Sequence, residues 1–136
     1  MLVCGCINPP PVDEADYRGV YFNANDIMSA TASQKLGGVP LLVEHSTKSV
    51  GSIISAWTAN NGSMFALAEI DVKRPGGALA AEFVKSGKLG EFSLGYTARM
   101  LRCKKTGTFK SDSKEIHEVS LVKKGARPGC FITNIQ

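Results

Sequence analysis

Two apolar runs, Val50 to Trp57 and Met64 to Ile70, flank the tripeptide Asn60-Asn61-Gly62. Asn and Gly accept the positive φ that a tight hairpin turn demands, so the spacing predicts two antiparallel strands. The same kind of run recurs along the chain. Met1 to Ile7 is short and apolar and is closed by Pro9-Pro10-Pro11, which cannot donate to a ladder. Leu41 to Glu44 follows Pro40, and Ile116 to Val122 and Cys130 to Ile135 lie near the C-terminus. From Gly90 to about Cys103, Phe92, Leu94 and Tyr96 alternate with Ser93, Gly95 and Thr97, the period of a two-faced strand.

Helical signals are fewer. Asn23, with Asp26 three places on, can cap a helix over Ala24 to Leu36 that Gly37-Gly38 stops. Ala78 to Lys85 carries Leu79, Phe83 and Val84 at helical spacing, with Gly87 beyond its end. Asp13 to Gly19, Asp71 to Gly77 and Lys104 to Lys114 read as loops. The expected fold is α+β and mainly β: a small closed or partly closed antiparallel barrel of six or seven strands, flanked by two helices. At 136 residues it is expected to be one domain, residues 1–136, with an aliphatic core, because the chain has one Trp.

The charge balance excludes little. Sixteen basic against 12 acidic residues leave a mild net +4. Lys73-Arg74 and Arg99 to Lys105 could make a basic edge for nucleic acid, but aromatics are sparse there, and a solvated charged edge fits better. No stretch is long enough to cross a bilayer, and no signal peptide is visible, so Cys4, Cys6, Cys103 and Cys130 are expected to be free thiols in a reducing compartment. Cys4 and Cys6 lack the further ligands of a zinc site, and no cofactor or metal is called for.

Chemistry gathers in three stretches. Ser93 lies two residues before Gly95 on its strand, a glycine that leaves the serine open to an approaching substrate backbone; His45 closes Leu41 to Glu44, and His117-Glu118 opens the strand to Val122. These are the chain's only two histidines. A serine hydroxyl is a weak nucleophile until a base activates it, and imidazole is suited to that work near neutral pH. Such groups meet in the fold, so their separation in the chain is no obstacle.

These three stretches, in this order, resemble the capsid-maturation serine proteases of herpesviruses, the assemblin family, and the prohead proteases of tailed phages that share their fold. In those enzymes a histidine follows an apolar strand, as His45 follows Leu41 to Glu44. Their nucleophile sits in a string matched by Phe92-Ser93-Leu94-Gly95. Their third residue opens a strand matched by Glu118-Val119-Ser120-Leu121, which runs on into an oxyanion segment matched by Gly125-Ala126-Arg127. The phage enzymes carry Glu-Val-Ser-Leu-Val at that strand, as this chain does over Glu118 to Val122. The likeness covers roughly Val39 to Gly129, and the three motifs are specific only together.

The resemblance implies a serine endopeptidase that cleaves scaffold or assembly protein, and itself, inside an immature viral capsid or prohead in the host cell, nucleus or cytoplasm, and is not secreted. It implies Ser93 as nucleophile, His45 as base, an oxyanion segment at Ala126 and Arg127 in which the Ala126 backbone N–H binds the oxyanion, and Arg127 as the residue that fixes a water there. The herpesvirus enzymes have a histidine in third position, which would favour His117; the gapless register and the phage string favour Glu118. Adjacent strand residues face opposite ways, so one of the two can reach His45. The first arginine of the oxyanion segment is replaced by Ala126, whose amide can serve equally. The resemblance implies a homodimer, but the C-terminal helices through which the family pairs have no counterpart in this sequence, so a homodimer here would need another interface. The alternative to a protease is an inactive capsid- or scaffold-binding module with the same fold.

Overall fold

A computed structural model describes residues 1–11, 22–102, 104–105 and 109–136. The elements in chain order are β1 (Leu2–Asn8), α1 (Ala24–Thr31) with a 3₁₀ turn over Ala32–Gln34, β2 (Pro40–Val43), β3 (Gly51–Thr58), β4 (Met64–Ile70), α2 (Gly77–Lys85), β5 (Glu91–Arg102), β6 (Phe109–Val122) and β7 (Ile132–Ile135). The strands form one seven-stranded sheet in the order β5-β6-β2-β3-β4-β1-β7. The sheet curls into a partly closed barrel. Its two edges meet at one end, where Phe92 N–H donates to the Cys130 carbonyl at 2.8 Å and Ile132 N–H to the Gly90 carbonyl at 3.0 Å.

The expected class holds, with one difference in topology. β2 runs parallel to β6, pairing Leu41 with Val119 and Val43 with Leu121, while every other strand pair is antiparallel. Strand alternation cannot reveal direction, so the sequence pattern could not show this pairing.

β6 also begins at Phe109, inside the stretch expected to be a loop. It pairs with β5 as far out as Arg102↔Phe109. Lys110 to Lys114 are all polar, so a ladder made by the backbone leaves no apolar alternation to read. The first helix is shorter than expected. Thr31 Oγ1 donates to the Ile27 carbonyl at 3.0 Å, and the chain is extended at Ala32, where the 3₁₀ turn begins. A hydroxyl that bonds back to its own helix competes for the carbonyls that would carry the helix on. The expected loop over residues 13–19 lies outside the described residues.

The core is aliphatic. Val3, Ile7, Leu41, Ile53, Ile70, Val119 and Leu121 are completely or almost completely buried around Phe92. α1 inserts Ile27, and α2 inserts Ala80, Ala81 and Val84. Asp26 closes a capping box with Asn23 and accepts a 2.7 Å bond from buried Lys114 Nζ, tying α1 to β6. Cys4, Cys6 and Cys130 are free thiols; Cys103 lies outside the described residues. No cluster of metal-ligating side chains occurs among the described residues, and none of their helices is long and apolar enough to cross a membrane.

Candidate active site

The antiparallel pairing of β5 with β6 sets Ser93 opposite Ser120 and Gly95 opposite Glu118. Directly opposed residues share a face, so these four line the outer side of the sheet. Phe92, Leu94, Val119 and Leu121 fill the core side. The register shifts between Gly95 and Tyr96, and His117 is the extra residue of the bulge. The bulge turns Ile116 back into the core and sets His117 beside Thr97, its Nε2 2.8 Å from Thr97 Oγ1.

His45 reaches this face from the end of β2. Glu44 N–H continues the parallel ladder to the Leu121 carbonyl at 3.0 Å, and Ser46 N–H then closes a tight turn onto the Val43 carbonyl at 2.9 Å. Both central residues adopt positive φ, Glu44 at 50° and His45 at 55°. That conformation costs a non-glycine residue about 1 kcal/mol or more and gathers at functional sites. Here it folds the histidine back over β6, where His45 N–H donates to Ser120 Oγ at 3.1 Å.

The side chains then form a continuous series. Glu118 Oε1 lies 2.5 Å from His45 Nδ1, and His45 Nε2 lies 3.1 Å from Ser93 Oγ. A carboxylate accepts only, so Nδ1 carries the proton, and Nε2 is left as the acceptor facing the serine hydroxyl. Ser93 is 8% exposed, while the His45 side chain is 45% exposed. The structure brings Ser93, His45 and Glu118 together and places His117 elsewhere.

Gly95 has a second use here. A Cβ built on it would lie 2.5 Å from both Cγ and Cδ of Glu118. The missing side chain is the slot across which Glu118 reaches His45. From the sequence, Gly95 reads as room for substrate; the space is occupied by the carboxylate arm.

The segment after β6 is tied to both partners of the site. Lys123 N–H donates to Glu44 Oε1 at 2.8 Å, and Gly125 N–H to Glu91 Oε1 at 3.1 Å. Gly125 runs so close to the Phe92 carbonyl, 2.7 Å from a built Cβ, that a side chain would collide there. Ala126 and Arg127 follow directly. The Arg127 guanidinium is not presented to solvent for an oxyanion water, as the resemblance implied; it is buried over Phe22 and Tyr96, 5.1 and 5.0 Å from the ring centres, and anchors the loop by cation–π contact.

Three contributors escaped the sequence reading: Ser120, whose hydroxyl also donates to Glu118 Oε2 at 2.8 Å, and the tethering carboxylates Glu44 and Glu91. Each is adjacent to or within a motif already singled out, but a motif string carries no distances.

No protein-family model and no curated protein matches the sequence. Solved structures do. The protease of Kaposi's sarcoma-associated herpesvirus, in complex with a hexapeptide phosphonate inhibitor, superposes with a TM-score of 0.59 at 15% identity, over 97% of this chain and 64% of that one. A room-temperature structure of the same protease with an allosteric inhibitor, compound 250, gives 0.56 at 16% identity, over 97% of this chain and 75% of that one. The fold is assemblin-like. This chain thus spans under two thirds of the length of the first of these proteases.

Proposed function

We propose that the protein is a serine endopeptidase of capsid or prohead maturation, cutting scaffold or assembly protein within the immature particle. The observation that carries this reading is the Glu118–His45–Ser93 series, with contacts of 2.5 and 3.1 Å. Ser93 Oγ attacks the peptide carbonyl while His45 Nε2 takes its proton. The tetrahedral intermediate collapses as the imidazolium returns that proton to the leaving amine, giving an acyl-enzyme. Water, deprotonated by His45, attacks the ester, and Ser93 leaves with a proton, so that the site is regenerated. Glu118 holds the imidazole tautomer and offsets the imidazolium charge. Amides at Ala126 and Arg127, on the loop beside Phe92, receive the oxyanion; losing one such donor costs about 3 to 4 kcal/mol in comparable sites.

Reaction with a fluorophosphonate, read as added mass on Ser93, tests the reading. Ser93→Ala should abolish both labelling and cleavage of a scaffold peptide, with the fold retained. His45→Ala should lose a comparable amount, and the double variant should be hardly worse than either, because nucleophile and base act as a unit. An unlabelled wild-type protein would favour the inactive scaffold-binding module instead.

A further inference from the structure

We infer that Ser120 is a positioning residue that fixes both the base and the orienting carboxylate of the site through one buried hydroxyl; this rests on the proposed peptidase reading. Ser120 is fully buried. Its hydroxyl has one proton to give, and gives it to Glu118 Oε2 at 2.8 Å. Its oxygen accepts from His45 N–H at 3.1 Å. These two bonds set the roles of every atom nearby. The carboxylate has two chemically equivalent oxygens and a soft terminal torsion. With Oε2 held by Ser120, Oε1 is left for the imidazole, 2.5 Å from Nδ1.

The same hydroxyl stabilises the unusual turn. His45 lies beyond the end of the β2–β6 ladder, so its amide finds no strand carbonyl in register. Ser120 supplies the acceptor, and His45 keeps its positive φ over β6. One side chain therefore connects the backbone that carries the base to the carboxylate that orients it. An ordinary strand serine, by contrast, faces water or bonds a nearby carbonyl. At this position alanine keeps the strand and the core but leaves the part-buried His45 amide without its acceptor and frees the carboxylate to rotate.

Ser120→Ala should lower kcat for a cleaved peptide about 30-fold, with KM within about twofold; at about 1.36 kcal/mol per factor of ten this is ~2 kcal/mol, in the range for a buried group left without its partner. Ser120→Thr keeps the hydroxyl and should recover most of the rate, whereas Ser120→Val, equal in size to threonine, should not. A second readout does not depend on turnover. The short Nδ1–Oε1 contact should give a far-downfield His45 proton resonance, present in the wild type and Ser120→Thr, and lost or moved upfield in Ser120→Ala and Ser120→Val. A folded Ser120→Ala variant with wild-type kcat and an unmoved resonance overturns the inference. A wild type that shows the resonance but never reacts with a fluorophosphonate overturns the peptidase reading and leaves the positioning role standing.

Discussion

Gly95→Ala should disable the site without touching any of its reacting groups. The new methyl group would lie 2.5 Å from Glu118 Cγ and Cδ, where about 3.5 Å is ordinary contact. Backbone on a paired strand cannot yield by that amount, so the Glu118 arm must swing aside by about 1 Å. A displacement of that size costs on the order of 10² in rate, and outright loss of the orienting carboxylate up to about 10⁴. The expected fall in kcat lies between those limits. Stability should fall modestly. When the Glu118 arm swings aside it gives up its contacts to the buried Ser120 hydroxyl and to His45, a loss of about 1 to 3 kcal/mol, which alanine offsets by about 0.5 to 1 kcal/mol over glycine within a strand. The assay is kcat and KM on a cleaved peptide beside thermal melting. Adding Glu118→Gln to Gly95→Ala should cost little more, since both act on one interaction. A raised KM with kcat unchanged would refute the slot and return Gly95 to the role of making room for substrate. Full activity in the alanine variant would refute both.

Glu118→Gln should lower turnover at least about 10²-fold, whereas His117→Gln, which loses only a contact to Thr97, should stay within about threefold of wild type; the reverse order in steady-state rates would refute the assignment of the third position to Glu118. Asp26→Asn should destabilise the fold by about 3 kcal/mol in chemical denaturation, because it leaves the buried Lys114 ammonium without its carboxylate; a loss below ~1 kcal/mol would mean that this pair contributes little. The Cys6 thiol is pulled down to about 7 from its ordinary 9.0, chiefly by a hydrogen bond from Cys130, and Cys130 is pushed up by the same contact and by burial. A folded-state value below the unfolded one adds stability above about 9 that is lost as pH falls through 7, so stability should rise from pH 7 to 9 by a slope that Cys6→Ala removes. Equal slopes in urea titrations of the two proteins would contradict this.

What the sequence disclosed follows from which elements bury a face. β4 was legible over its whole length, Met64–Ile70, because every second residue enters the core and Asn60-Asn61-Gly62 marks the turn before it. α2 was legible in position but not in its buried face: Leu79, Phe83 and Val84 carried the reading, whereas Leu79 is exposed and the buried stripe is Ala80, Ala81 and Val84. The outer half of the β5–β6 hairpin was not, since its ladder is made by backbone over polar residues such as Lys110 to Lys114. The parallel β2–β6 pair was not, since it joins strands far apart in the chain and its direction leaves no local trace.

The site divides in the same way. Ser93, His45 and Glu118 were legible as residue types in recognisable strings, and the choice between Glu118 and His117 was left to register. That register is decided by a single extra residue, the bulge at His117, and a bulge is a matter of pairing between strands. What the strings could not carry is the shape that makes three residues into one device. The histidine arrives through a turn with two consecutive non-glycine residues at positive φ, a conformation that local preference opposes at both Glu44 and His45. It persists because the flanking bonds over-determine it: Glu44 through its amide to Leu121 and its carboxylate to Lys123, and His45 through its amide to Ser120. A local rule is broken there, and three contacts from the strand on which Glu118 lies, or from its immediate continuation, hold the break in place. Placement of His45 and placement of Glu118 are therefore one structural event, which is why the parallel pairing of β2 with β6, invisible in the sequence, is the feature of the fold that brings the three side chains together.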